Sequence, residues 1–239
     1  MGHEFDKDYW DEHWQQVHDR PDAGHEVPPN PHLVREVGLL APGTALEAGC
    51  GEGAEAVWLA QAGWAVTAVD IADEVLARAA ARAAAVGVGD RLQWVRADLG
   101  TWEPSAPFDL VTTHYAHPAM PQLEFYDRLG SWVAPGGSLL VVGHAEGEQG
   151  AGHGGSHDGH RAHGRERHDH GHEPPPEARV TSASIAARLD PTTWEVVTAQ
   201  EATRSLAAPG APGAAGAPGT LRDVVVRARR RVDDRGGRG

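Results

Sequence analysis

The chain has 239 residues, 40% of them apolar, which suits one domain with appendages better than two full domains. Its formal charge of −13 argues against a nucleic-acid backbone as main partner, because phosphate binding needs a basic face. Cys50 is the only cysteine, which excludes an intrachain disulfide and a multi-cysteine metal site.

Met1 to Arg20 is polar and charged, without the apolar centre of a signal peptide. No later run approaches the ~18 apolar residues of a membrane span. The expected compartment is the cytoplasm, with no membrane partner. Within this segment Trp10 and Trp14 stand four apart, so a helix would place them on one face. Asp11 and His13 beside them read as surface residues. Pro21, Pro28, Pro29 and Pro31 then mark a connector. Leu33, Val34, Val37 and Leu40 have helical spacing and predict a helix from His32 to Leu40, stopped by Ala41-Pro42-Gly43.

From there strands and helices alternate. Predicted strands are Thr44–Ala48, Ala65–Val69, Leu92–Ala97, Phe108–Thr113 and Ser138–Gly143, with helices over Glu55–Ala62, Glu74–Val86 and Leu123–Val133. Asp73 is placed to cap the second of these helices. Alternation of this kind predicts a parallel sheet with right-handed crossovers. The unbroken apolar run Leu139-Leu140-Val141-Val142 fits burial on both sheet faces.

The pattern breaks near Ala145. A His/Gly-rich tract at about 147–177 holds His153, His157, His160, His163, His168, His170 and His172. It supports no periodic core and is expected to be disordered. Imidazoles suit Ni²⁺, Zn²⁺ or Cu²⁺, but the spacing defines no site, so the expectation is weak, adventitious transition-metal affinity and no structural metal. Because the tract follows the fifth strand, it lies on the edge where a ligand would enter. A helix at Ser182–Leu189, a strand at Trp194–Ala199, a Pro/Gly run at 207–219 and a last strand at Leu221–Arg229 complete the elements. The arginines near the C-terminus read as a solvated strand edge and a frayed tail.

Open α/β sheets bind ligands at the carboxyl ends of their strands. Gly49, Gly51 and Gly53 follow the first strand and permit a tight turn and a close backbone approach. The spacing is G-x-G-x-G rather than the dinucleotide G-x-G-x-x-G, and Glu47 and Glu52 would repel a pyrophosphate but not a sulfonium or an ammonium. Asp70, 19 residues after Gly51, ends the second strand, where a carboxylate can accept from both hydroxyls of a ribose. Asp98 ends the third; it can accept from an adenine amino group, while the Leu99 N–H reaches a ring nitrogen. Cys50, between two glycines, reads as a small residue in a tight loop rather than a nucleophile.

Residues Ala45 to Gly143 resemble a class I S-adenosylmethionine-dependent methyltransferase. The resemblance is carried by Leu46-Glu47-Ala48-Gly49-Cys50-Gly51-Glu52-Gly53, Val69-Asp70-Ile71, Val95-Arg96-Ala97-Asp98-Leu99, Phe108-Asp109-Leu110-Val111 and Pro135-Gly136-Gly137-Ser138-Leu139. It implies a Rossmann-like, seven-stranded, mostly parallel sheet flanked by helices, its last strand antiparallel. It implies S-adenosyl-L-methionine as cofactor, held by Glu47, Ala48, Gly49, Cys50, Gly51, Gly53, Asp70, Ile71, Asp98, Leu99 and His114. The strand end at His114 would face the methyl group, which makes His114, Tyr115 and His117 candidates for a general base; packing on the cofactor or filling of the loop is the other reading. Tyr9-Trp10-Asp11-x-x-Trp14 is similar to the segment before the core in thiopurine- and tellurite-type small-molecule methyltransferases, which implies that Trp14 folds over the cofactor.

The expected organisation is an N-terminal lid and connector at 1–31, a cofactor-binding domain at 32–230 and a basic tail at 231–239. The expected activity is methyl transfer to a small-molecule acceptor by in-line displacement. Two rivals stand beside it: a dinucleotide-dependent oxidoreductase, and a His-rich metal-binding protein on a cofactor-binding fold.

Overall fold

The computed structural model describes residues 7–18, 28–145, 180–205 and 220–232. The His-rich tract, the Pro/Gly run and the end of the basic tail lie outside these residues. The described strands are β1 (Thr44–Ala48), β2 (Ala65–Asp70), β3 (Leu92–Arg96), β4 (Phe108–His114), β5 (Val133–His144), β6 (Trp194–Ser205) and β7 (Thr220–Arg230). They form one sheet in the order β3-β2-β1-β4-β5-β7-β6. Ladders from β3 through β5 are parallel, whereas β7 runs antiparallel to both β5 and β6. This is the expected Rossmann-like architecture. The chain steps outward from β1 to β3 and then returns to β1's other side as β4, so the crevice opens where β1 and β4 end.

Alternate residues of each central strand face opposite cores. Leu46, Val111, Leu139, Val141 and Val226 pack on one side, covered by Phe125 and Leu129 of α5 (Gln122–Ser131) and Ile185 of α6 (Ser182–Ala186). Ala45, Leu110, Leu140, Val142 and Val225 pack on the other. Leu33 and Val37 of α2 (Pro31–Val37), Leu59 of α3 (Ala54–Gln61) and Leu76 of α4 (Asp73–Ala85) cover that face. Both faces are covered by helices, which is why the strands read as continuous apolar runs.

Several boundaries differ from the sequence reading. Asp73 is not the cap of α4 but its first residue, and its carboxylate pairs with Arg96 at 3.1 Å. The turn before α4 is closed by Asp70 instead, whose Oδ1 accepts from the Ala72 N–H at 3.1 Å. α2 begins earlier than expected because Asn30 accepts from the His32 N–H at 2.9 Å and Pro31 takes the first helical position. It stops at Val37, before Gly38. β6 extends past Ala199 to Ser205; as an edge strand with polar residues it carries no apolar pattern that would reveal its length.

Candidate functional site

The loop after β1 is shaped by backbone that only glycine adopts readily. Gly49 and Gly51 have φ of +76° and +47°. The N–H groups of Gly49 and Cys50 both donate to the Val69 carbonyl, at 2.9 and 3.0 Å, which ties the loop to β2. A Cβ on Gly49 would lie 2.4 Å from the Ala116 Cβ, and one on Gly51 3.1 Å from the Trp14 indole. The loop is therefore pinched between the segment after β4 and α1 (Lys7–His18).

Asp70 organises this corner. Its Oδ2 accepts from the Gly51 N–H at 2.9 Å. Burial pushes its pKa up, opposed by the N–H groups of Ala72 and Gly51. Asp98, exposed at the end of the next strand, is oriented by the Gly100 N–H, which donates to its Oδ1 at 2.8 Å. Leu99 is buried beside it.

These groups line one cavity of about 380 Å³. Gly49, Cys50 and Gly51 form part of its wall, with Asp70, Ile71, Asp98 and Leu99 beyond them. Tyr9, Trp10, His13 and Trp14 close it from α1. His13, expected on the surface, is on this wall because its ring packs edge-on between Trp10 and Trp14, with centroids 5.4 Å from each. His114 of β4, Tyr115 and His117 just after it, and His144 of β5 complete the wall. No lysine or arginine is among the described wall residues, whereas Glu52, Glu55, Asp70 and Asp98 are.

Three residues expected at the cofactor stand behind this wall. Ala48 is fully buried in β1. Gly53 is where α3 begins, and a Cβ there would strike Trp94 at 2.8 Å and Ala79 at 2.9 Å. Glu47 is 1% exposed and reaches the cavity only through His114, whose Nδ1 is 2.9 Å from its Oε1. Burial lifts the Glu47 pKa to about 7, opposed by His114. Burial by itself would lower His114, but the Glu47 charge and hydrogen bond outweigh it and raise the histidine. Glu47 Oε2 and His114 Nε2 have no hydrogen-bond partner. Cys50 stays a thiol: burial, with Asp70 and Glu47 nearby, pushes its pKa up.

The segment after β4 carries the other two candidate bases. Tyr115 has φ +55°, the one positive value at a non-glycine among the described residues. Its hydroxyl accepts from Asn30 Nδ2 at 3.3 Å, and the Asn30 N–H donates to Glu55 Oε1 at 3.0 Å. His117 is 9% exposed; its Nδ1 is 3.1 Å from Gln122 Oε1. His144, which ends β5, lies with its ring centroid 4.7 Å from that of Tyr115 and 5.7 Å from that of His117. The sequence reading missed His144 and Asn30. For His144 a signal existed: it ends a strand that pairs with β4.

Among the described residues there is no group of three or more His, Cys, Asp or Glu able to hold a metal, and no helix long and apolar enough to cross a membrane.

Comparison with known proteins identifies relatives of this fold. Residues 45–137 match the model of a methyltransferase domain. The chain is 34% identical over 125 residues to trans-aconitate 2-methyltransferase of Streptomyces avermitilis, covering 49% of this chain and 45% of that one. It is 28% identical over 137 residues to probable thiol methyltransferase 2 of Arabidopsis thaliana, covering 56% and 60%. The chain thus spans about half the length of the curated relatives it matches. A solved protein described for conversion of a disulfide bond into a thioacetal group during echinomycin biosynthesis shares the fold. It superposes with a TM-score of 0.63 over 96% of this chain and 93% of its own, at 18% identity.

Proposed function

We propose that this chain, which carries a class I S-adenosylmethionine-dependent methyltransferase domain matched over residues 45–137, transfers the cofactor's methyl group to a small-molecule acceptor. The observation that carries this reading is convergence. Gly51, Asp70, Asp98 and His114, from four different strand ends, line one cavity.

The residues present fit the cofactor. Gly49 and Gly51, both at positive φ, carry the loop past Ala116 and Trp14 so that its backbone forms part of the cavity wall. Asp70 takes the ribose hydroxyls, and Asp98 with the Leu99 N–H takes the adenine. His114, backed by Glu47, presents its unpartnered Nε2 at the amino-acid end. Acidic side chains on the wall suit a sulfonium and an ammonium and disfavour a pyrophosphate, which sets the oxidoreductase reading aside. When bound, the sulfonium supplies a methyl carbon already activated for displacement. The protein's part is to align the acceptor behind that carbon and keep water out, and the aromatic face of α1 serves both.

A cavity of about 380 Å³ supports the reading that the acceptor sharing it with the cofactor is a small molecule. The thiol acceptors named for one of the relatives are the first to try. Calorimetry with S-adenosylmethionine tests the reading, followed by release of S-adenosylhomocysteine across an acceptor panel. Absence of binding at millimolar cofactor would sink it.

A further inference from the structure

We propose that Arg128, which stands outside the cavity wall, is the positioning residue that makes the site select adenine. By holding the Leu99 and Trp102 carbonyls, it fixes the turn that presents the Asp98 carboxylate and the Leu99 N–H to the base. The inference rests on the methyltransferase reading above and deepens it at the adenine end.

The turn after β3 is held from two sides. Asp98 closes it from within. Its carbonyl accepts from the Thr101 and Trp102 N–H groups at 3.0 and 2.8 Å, and its Oδ1 accepts from the Gly100 N–H at 2.8 Å. In a planar, trans peptide unit the carbonyl and the N–H point opposite ways. Because the Asp98 carbonyl faces into the turn, the Leu99 N–H faces out of it, and both Asp98 and Leu99 line the cavity.

Arg128 of α5 holds the turn from behind. Its Nε donates to the Leu99 carbonyl at 3.0 Å and its Nη2 to the Trp102 carbonyl at 2.7 Å. Two donors of one rigid fork thus fix carbonyls three residues apart. The guanidinium is itself held. Glu103 Oε1 lies 3.0 Å from Nη2, and the Trp132 ring lies beneath, 5.2 Å from the guanidinium carbon to its centroid. The Trp132 indole N–H donates to Glu103 Oε2 at 2.8 Å, and the Trp102 and Trp132 rings meet edge-on at 5.4 Å. Phe125 and Leu129 of α5 are fully buried, so the fork projects from a helix seated on the sheet.

Rigidity here translates into selectivity. Adenine presents an amino donor beside a ring-nitrogen acceptor, which complements the Asp98 carboxylate beside the Leu99 N–H. Hypoxanthine presents the reverse, a carbonyl oxygen beside a ring N–H. It would set acceptor against acceptor and donor against donor. A polar site rejects such an analogue only while its own groups stay in register, since a turn able to rotate its peptides could meet either pattern. The residue that fixes the turn therefore governs the ratio of the two affinities.

Calorimetry with three ligands tests this: S-adenosylhomocysteine, S-inosylhomocysteine, which carries hypoxanthine, and methylthioadenosine, which keeps adenine but lacks the amino-acid end. The wild-type protein should bind S-adenosylhomocysteine at least about 100-fold more tightly than its hypoxanthine analogue. Arg128→Met should narrow that ratio about tenfold or more. Arg128→Lys, a single point charge that cannot span both carbonyls, should fall between. The preference for S-adenosylhomocysteine over methylthioadenosine should stay as in the wild-type protein. Because each ratio is taken within one variant, a lower folded fraction cancels. Glu103→Gln removes the charge opposite the guanidinium but keeps an acceptor for Trp132, and should leave the base ratio near wild type. An unchanged base ratio in Arg128→Met, an equal collapse of both ratios, an equal narrowing in Glu103→Gln, or a wild-type protein indifferent to the base would each overturn the proposal. Failure of the wild-type protein to bind S-adenosylhomocysteine or S-adenosylmethionine at all would instead bring down the methyltransferase reading.

Discussion

Glu47 and His114 form an ion pair sealed from solvent where β1 and β4 end, with Oε1 and Nδ1 2.9 Å apart and both side chains under 5% exposed. Carboxylates are rarely buried without a partner, so each residue accounts for the other. The pair also links the acid inside the glycine motif to the cavity wall, a link invisible while Glu47 is read as one more loop residue.

The pair should make stability depend on pH. Burial lifts Glu47 from its ordinary 4.5 to about 7. His114 is raised above its ordinary 6.5, the effect of the carboxylate outweighing burial. Both groups therefore bind protons more tightly folded than unfolded. Their contribution is full below the unfolded values and is lost as pH rises, for Glu47 between 4.5 and about 7 and for His114 from 6.5 upward. For Glu47 this amounts to on the order of 3 kcal/mol, at 1.36 kcal/mol per pH unit. Tm should fall from about pH 5 to pH 8 in the wild-type protein and fall less in Glu47→Gln. Parallel Tm curves for the two proteins would refute this.

Breaking the pair from one side should cost more than removing it. His114→Leu leaves a buried carboxylate without its partner and should destabilise by about 3–5 kcal/mol in urea unfolding. Adding Glu47→Leu should restore much of that loss, since an apolar pair of similar volume is tolerated in such places. A double variant no more stable than His114→Leu alone would contradict the coupling.

Gly49 and Ala116 are the tightest approach in the site. Gly49→Ala adds a methyl 2.4 Å from the Ala116 Cβ at a φ of +76°. Strain of about 1–3 kcal/mol is expected before the clash is counted, and the segment carrying Tyr115 and His117 must shift. Both Tm and cofactor affinity should drop. Gly87→Ala is the control: its φ is +75° but nothing lies within 4 Å. It should lower Tm and leave cofactor affinity alone. Equal effects of the two substitutions on affinity would refute the close-approach argument.

The parts of the site that follow strands directly were legible in the sequence. A glycine or aspartate immediately after an apolar run marks a strand end, and Gly49, Gly51, Asp70 and Asp98 all do so. Trp10 and Trp14 were legible as one helical face, and both line the cavity. What escaped is made by contacts between distant segments. Asn30 reaches Tyr115 across 85 residues, in a stretch that reads only as a proline connector. Gln122 is an unremarkable first residue of α5 until His117 is seen beside it. Likewise Asp73 looks like a cap because its spacing allows it, and only the tertiary turn shows Asp70 already closing that corner.

Asp70 should be needed for cofactor binding in two separable ways. Its Oδ2 holds the Gly51 N–H, and the same carboxylate is placed to accept from a ribose. Asp70→Ala removes both and leaves buried N–H groups without acceptors; S-adenosylmethionine affinity should fall about 10- to 100-fold per lost charged hydrogen bond. Asp70→Asn keeps one acceptor oxygen and should fall less. Calorimetry showing unchanged affinity for Asp70→Ala would remove the ribose assignment.

The His-rich tract should be dispensable for the fold. Ala145 and Val180, on either side of residues 146–179, form a parallel β-bridge, so the chain leaves and re-enters the sheet at one place. Ala145 is further held by its N–H, which donates to the Arg222 carbonyl at 3.0 Å, and Thr181 caps α6 by accepting from the Ser184 N–H at 3.0 Å. Neither anchor draws on the tract. Loop-closure cost changes slowly with length, about 0.6 kcal/mol per doubling, so a short Gly/Ser linker in place of residues 147–177 should keep Tm and S-adenosylmethionine affinity near wild type. Affinity for Ni²⁺ or Zn²⁺ should disappear with the imidazoles. Loss of cofactor binding in the shortened chain would mean that the tract contributes to the site. Methyl transfer kept for small thiols but lost for a larger acceptor would place the tract at the entrance, on the path the acceptor takes.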